Sequence, residues 1–246
     1  MIELITKQDQ FNGTLFNGRF HVNKPVASGN SPLTAPFSNL FYWSHAMATD
    51  DCGFGMHPHE GFEIMTFILE GSIIHYDTAS QVWTPLHTGD FQIIRSGRGL
   101  EHAERISKGT RSFQIWFDPD IRKAIGNEPG YTDHHANGFP STDIMGGSMI
   151  DLVGGTSPAN ADTEGLRIRR VRFNGPGFHT VPLPISSCSL VYFLDGEAHT
   201  GDLIAHTNDV LRVVQEGEIH MSSPGALDLF VLSVPEKPSY APVWTL

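Results

Sequence analysis

Two tripeptides carry the chemistry of this chain, His57-Pro58-His59 and His102-Ala103-Glu104. In an extended strand, residues i and i+2 project from the same face, so each tripeptide aims two donors at one point. Together they offer three imidazoles and a carboxylate, a donor set suited to a divalent first-row metal ion. Structural zinc sites favour closed, cysteine-rich tetrahedra. This set contains no cysteine, and on an octahedral ion it leaves two positions for water, dioxygen or a chelating substrate. Fe(II) is the first expectation, and Mn, Ni, Co or Zn suit the same donors. Glu63 shares the parity of His57 and His59 and competes with Glu104 for the fourth position. Neither tripeptide closes a site alone, so the fold must lay two strands against each other.

The intervening sequence supplies such strands. Glu63 to Leu69 is β-rich, Glu70-Gly71 interrupts it, and Thr88-Gly89-Asp90 opens a second apolar run from Phe91 to Ile94. Segments of period 2 bounded by Gly, Pro, Asn and Asp recur along the whole chain, and 25 Gly and 16 Pro provide turns. The reading is all-β. Strands are predicted over 15–22, 40–44, 63–69, 71–76, 91–95 and 112–117, then over 166–173, 190–194, 209–214 and 227–233. One short helix is predicted over 119–126, and an irregular stretch over 127–140.

A boundary is expected between residues 135 and 165. It divides the chain into a metal-binding domain, 1–135, and a linker with a second domain, 136–246. Two β-barrels or sandwiches in tandem fit this pattern best. An internal echo supports the division. Phe67-Ile68-Leu69-Glu70-Gly71 followed by Thr88-Gly89-Asp90-Phe91 has a counterpart in Tyr192-Phe193-Leu194-Asp195-Gly196-Glu197 followed by Thr207-Asn208-Asp209-Val210. The second copy has no His-x-His before it and no His-x-Glu after it, so one half is expected to hold metal and the other none.

Composition narrows the function classes. A net charge of −11 with sixteen Lys and Arg argues against binding nucleic acid through a basic surface, which needs clustered cations to neutralise phosphates. The alternating run Arg167-Ile168-Arg169-Arg170-Val171-Arg172 reads as a strand with a basic outer face. The N-terminal residues carry charges where a secretory signal needs an unbroken apolar core, and no stretch approaches the ~20 apolar residues of a membrane span. A cytoplasmic location is expected. Cys52 and Cys188 lie far apart and outside any paired pattern, so neither a disulfide framework nor a cysteine metal site is expected. Cys52 reads as a small loop or core residue. The other histidines show no paired ligand spacing, with His134-His135 in a loop.

The run Gly55-Met56-His57-Pro58-His59-Glu60-Gly61-Phe62-Glu63 and the later Gly97-Arg98-Gly99-Leu100-Glu101-His102-Ala103-Glu104 closely resemble the pirin family of bicupins. Leu69-Glu70-Gly71, His75-Tyr76-Asp77, Gly89-Asp90-Phe91-Gln92, Gln114-Ile115-Trp116, Glu128-Pro129-Gly130-Tyr131 and Ile150 to Gly155 agree as well, and the C-terminal third is only loosely similar. The resemblance implies two tandem cupin, jelly-roll-like β-barrels with an iron-type metal in the N-terminal barrel only. It implies His57, His59, His102 and Glu104 as ligands. The pirin pattern retains both acidic residues and binds through the later one, which leaves Glu63 as a neighbouring carboxylate. Glu60 stands where pirins usually carry Arg, and residues 78–84 depart from the usual turn. Neither change touches a ligand.

The resemblance further implies oxygenation of a flavonol in the manner of quercetin 2,3-dioxygenase, with Glu104 or Glu63 accepting the proton of the 3-hydroxyl. The alternative it carries is a non-catalytic, iron-binding, redox-responsive regulatory protein of transcriptional co-regulator type, acting through a protein partner. Phe62, Phe67, Phe91, Phe113 and Trp116 are the aromatic residues available for a substrate wall or for the barrel core. His75 and Gln114 are expected near the barrel mouth. A monomer is expected, because two barrels in one chain provide the packing that single cupins obtain by pairing.

Overall fold

The computed structural model of the protein describes residues 1–245. Its strands divide into two units, each made of a seven-stranded and a four-stranded antiparallel sheet. In the first unit the larger sheet runs, in spatial order, Gly130–His134, Phe91–Arg95, Glu63–Glu70, Arg111–Phe117, Leu40–Ala48, Phe20–Val26 and Phe11–Leu15. The smaller runs Cys52–His59, Leu100–Ile106, Ser72–Asp77 and Trp83–His87. The two conserve strand alternation: Phe20, Val22, Ala46, Ala48 and Ile68 from the large sheet meet Ile73, Leu86 and Ile106 from the small one in a common apolar cluster.

The second unit repeats the plan. Its large sheet orders Ile2–Ile5, Val210–Val214, Ser187–Asp195, Leu227–Pro235, Arg167–Phe173, Gly147–Val153 and Thr142–Ile144, and its small one Gly177–Pro182, Glu218–Ser223, Ala198–Thr200 and Leu203–Ala205. The internal echo in the sequence is a shared turn. In the first unit Gly89 N–H donates to the Ile68 carbonyl and Ile68 N–H to the Asp90 carbonyl, while the Asp90 carboxylate accepts from the His87 backbone. Asn208, Phe193, Asp209 and His206 make the same three bonds in the second unit. Gly89 has φ +88 and Asn208 φ +73, and Gly and Asn are the residues that adopt this conformation at least cost.

The all-β reading and the short helix, Ile121–Ala124, are present. Three stretches differ from expectation. The strand expected over 15–22 is a hairpin, because Phe16, Asn17 and Gly18 all have positive φ and turn the chain between Phe11–Leu15 and Phe20–Val26. The segment expected to be irregular contains Gly130–His134, a strand recruited by the exposed edge of Phe91–Arg95. The chain ends also depart from a single cut at residue 135: Met1–Asp9 belongs with the unit from Phe139 to Ser239, and the residues from Tyr240 onward with the unit that starts at Gln10. Ile2–Ile5 supplies the edge strand against Val210–Val214 that Gly130–His134 supplies in the first unit.

The basic run 167–172 is a strand, but not one with a uniformly basic outer face. Arg167 pairs with Asp151, and Arg170 and Arg172 share Asp228. Arg169 shares the inward parity of Val171 and Phe173 and is 2% exposed, its guanidinium donating to the Pro182 carbonyl. Cys52 and Cys188 are free thiols. Among the described residues no helix is long and apolar enough to cross a membrane.

Candidate metal centre

The two tripeptides meet in the small sheet of the first unit. Cys52–His59 and Leu100–Ile106 are antiparallel neighbours with His57 opposite His102 and His59 opposite Leu100. Beyond that pair the register shifts. Glu104 faces Phe54, so Gly55 and Met56 together oppose Ala103 alone. This bulge turns the Gly55 carbonyl toward His57, whose Nδ1 lies 2.8 Å from it, and bulges are a common means of re-aiming a side chain. Gly53 lets the strands close beside it, since a Cβ there would lie 2.3 Å from the Glu104 carbonyl oxygen.

The ligand atoms of His57, His59 and His102 all lie within 4.8 Å of one another. Among the described residues no other group of three His, Cys, Asp or Glu is gathered in this way. The ring centroids of His57 and His102 are 4.2 Å apart, and His59 packs edge-on against Trp116 at 4.7 Å. Burial and the neighbouring imidazoles make a second positive charge here costly. The pKa of His59 is lowered to about 4 and that of His102 further still, each chiefly by desolvation. His59 and His102 are therefore neutral at physiological pH, the state in which imidazole binds metal.

Hydrogen bonding assigns which nitrogens are available. His57 Nδ1–H donates to the Gly55 carbonyl, leaving Nε2 with a free lone pair. His102 Nε2 is buried with no hydrogen-bond partner, a cost that native interiors seldom leave unanswered. A divalent cation answers it, and the donor set fits one.

Glu104 lies outside the three-histidine group but lines the same cavity as His57 and His59. Its carboxylate accepts from Gln114 Nε2 at 3.3 Å, and Gln114 Oε1 accepts from Trp116 Nε1–H at 3.2 Å. Burial pushes its pKa up to about 7, and the Gln114 hydrogen bond opposes that rise only in part. Glu63 sits elsewhere. It is on the large sheet, fully buried, with Arg95 3.5 Å away, and lines no part of this cavity. Its parity with His57 and His59 does not survive the Gly61 turn, φ +78, at which the chain passes from one sheet to the other.

The cavity has a volume of about 230 Å³. Its aromatic wall is Phe20, Tyr42, Phe54 and Trp116, with Lys24 and Gln114 as polar lining. Of the five aromatic residues that were candidates for a wall or for the core, only Trp116 lines the cavity. Phe67, Phe91 and Phe113 are at most 4% exposed in the core, and Phe62 packs against the cluster of Ile64, Ile94 and Leu100. Sequence pattern alone does not reveal Lys24, Tyr42 or Phe54, because the strands that carry them join the site only through sheet packing. His75 is in contact with the centre, its Nε2 3.2 Å from His102 Nδ1. Glu60 is exposed and lines a separate surface hollow with His59 and Glu101.

In the second unit the strand corresponding to Cys52–His59 is Gly177–Pro182. Its His179 stacks on Phe173 with centroids 4.1 Å apart and meets Ser223 Oγ at 2.9 Å. Val181, Ile219 and Met221 fill the interior around it.

Residues 19–117, which include all four candidate ligands, match the Pirin family profile. That segment is a Pirin domain. Over 204 residues the chain is 28% identical to a Pasteurella multocida protein provisionally named quercetin 2,3-dioxygenase PM1685, covering 78% of this chain and 80% of that one. The crystal structure of bacterial pirin YhhW from Escherichia coli in complex with nickel(II) superposes with a TM-score of 0.78 at 20% identity, over 96% of this chain and 99% of that one. A quercetin 2,3-dioxygenase from Acinetobacter baumannii gives 0.80 at 18% identity, over 95% and 79%. At these identities the two structures establish the fold: tandem cupin domains.

Proposed function

We propose that His57, His59 and His102 hold one divalent first-row metal, with Glu104 as fourth donor, and that the site oxygenates a small aromatic substrate of flavonol type. The observation that carries this reading is the histidine triad, with the orphaned His102 Nε2, beside an aromatic cavity. The names of the relatives point the same way, since one includes quercetin 2,3-dioxygenase and another structure contains nickel. Fe(II) is the native metal in this reading, and the second unit carries none.

A bound ion of this kind supplies Lewis acidity to a chelating substrate oxygen and redox chemistry toward dioxygen. The chain supplies the rest. Glu104, with a pKa near 7, is matched to neutral pH as acceptor of the substrate hydroxyl proton. Gln114, held by the Trp116 indole, fixes the direction of that carboxylate. Lys24 offers a cation to the ionised end of a phenol. The cavity is larger than the ~150 Å³ that holds one benzene and smaller than the ~300 Å³ at which pockets begin to enclose a drug-sized ligand. A flavonol therefore enters with its metal-binding ring and leaves the remainder at the mouth.

The test is anaerobic reconstitution with Fe(II), followed by quercetin and air, recording oxygen uptake and loss of flavonol absorbance together. Turnover that disappears in His57→Ala supports the oxygenase. Tight iron binding without turnover refutes it and transfers the weight to a redox-responsive binding protein.

A further inference from the structure

A single Lys side chain faces the cavity of the metal centre. Among the lining residues Lys24 is the only Lys or Arg, and Glu104 the only Asp or Glu. The strand Phe20–Val26 presents Phe20, Val22 and Lys24 to the cavity by alternation. Its register against Leu40–Ala48 then shifts. Asn23 faces His45 and Val26 faces Trp43, so Lys24 and Pro25 together oppose Ser44 alone. Pro25 has no N–H to give to the ladder, and a bulge is where a strand accommodates proline.

The Lys24 ammonium is held by aromatic faces. Its Nζ lies 5.1 Å from the ring centroid of Phe11 and 5.0 Å from that of Tyr42, within cation–π range. Among the described residues it makes no ion pair. Ring faces attract the charge but offer no lone pair, so the three N–H donors stay available to an anion.

The same rings join this cation to the histidines. Tyr42 packs on Trp116 with centroids 5.4 Å apart, and Trp116 on His59 at 4.7 Å. One aromatic wall thus has imidazole donors at one end and an ammonium at the other. A flat ligand lying on it meets a place for a chelating end and a partner for an anionic one. The volume of about 230 Å³ exceeds the ~150 Å³ that holds one benzene by room for substituents, but not for a second ring. The chain carries a net charge of −11 and repels anions at long range, so Lys24 is the feature of this cavity that favours one.

We infer that the site takes one-ring aromatic acids, in which vicinal hydroxyls chelate at the histidines and a carboxylate on a short arm pairs with Lys24. The inference rests on the metal reading above and narrows its substrate from a flavonol to a ring that the cavity encloses whole. Vicinal oxygens suit the two positions that four protein donors leave on an octahedral ion. Lys24 then determines specificity by touching the substrate at the end remote from the metal.

The test is calorimetric titration of zinc-loaded protein with 3,4-dihydroxyphenylacetate and with its neutral amide, 3,4-dihydroxyphenylacetamide. The methylene insulates the ring, so the two ligands chelate alike and differ only at the carboxylate. Zinc has no redox chemistry, so binding is read without turnover. The acid should bind about 10-fold more tightly than the amide, the lower end for a hydrogen bond to a charged group. This preference should vanish in Lys24→Gln and return in Lys24→Arg. A Lys24 that only packs against Phe11 and Tyr42 would change both affinities together and leave their ratio. An amide bound as tightly as the acid by wild type overturns the inference, and that result decides even if Lys24→Gln fails to fold. Quercetin bound more tightly than the acid also overturns it and leaves the flavonol reading standing. Acid binding undiminished in His57→Ala overturns the metal reading and the inference together.

Discussion

Replacing Glu104 by Gln separates what this carboxylate costs the empty fold from what it contributes to a loaded site. Its pKa is raised by burial to about 7 from an ordinary 4.5, and each pH unit between folded and unfolded values corresponds to about 1.4 kcal/mol. Because the folded value is the higher one, the folded state binds more protons than the unfolded state between these limits. Stability is therefore lost as pH rises from about 4.5 to 7 and levels off above that. The full effect is about 3 kcal/mol in metal-free protein. Gln keeps the shape and does not titrate, so urea denaturation of metal-free wild type and Glu104→Gln, extrapolated to water at a series of pH values, should give a difference that grows by about 3 kcal/mol from pH 4 to pH 8 in favour of Gln. With saturating zinc the order should reverse, because only the wild type retains an anionic fourth donor. A difference that stays flat from pH 4 to pH 8 would show that Glu104 ionises without penalty and would refute the account of its environment.

Three further outcomes follow from the same geometry. Zinc binding at pH 6 should release about one proton more from wild type than from Glu104→Gln, the proton of Glu104, as read by calorimetry in buffers of different ionisation enthalpy. His57→Ala and His102→Ala should each retain the far-ultraviolet circular dichroism of the β fold while losing tight metal binding, and equimolar metal in either variant would remove that histidine from the ligand set. Glu63→Gln should lower stability by about 1–3 kcal/mol, because it weakens a buried contact to Arg95, and should leave zinc affinity unchanged. A fall in affinity at unchanged stability would return Glu63 to the site.

The sequence by itself determined the chemistry of the donors and the class of the fold. His57 and His59, and likewise His102 and Glu104, share a face because strand parity is set by the backbone within three residues. The repeated turn at Asp90 and Asp209 is legible for the same reason, since its bonds close within one loop and the strand end beside it. Parity stops being a guide where the chain changes sheets. Glu63 has the right spacing but follows the Gly61 turn and lies on the large sheet beside Arg95. The division of the aromatic residues between barrel core and cavity wall was open in the sequence on the same ground. Phe67, Phe91 and Phe113 have apolar strand neighbours just as Tyr42 and Phe54 do, and only the packing of one sheet on the other decides which of them meets the cavity. Ile2–Ile5 and Gly130–His134 became edge strands through pairing with partners distant in sequence, Val210–Val214 in the first case and Phe91–Arg95 in the second. The perturbed pKa values and the orphaned nitrogen of His102 likewise belong to the tertiary structure, because desolvation and hydrogen bonding depend on which side chains close over a group, and those come from strands tens of residues apart.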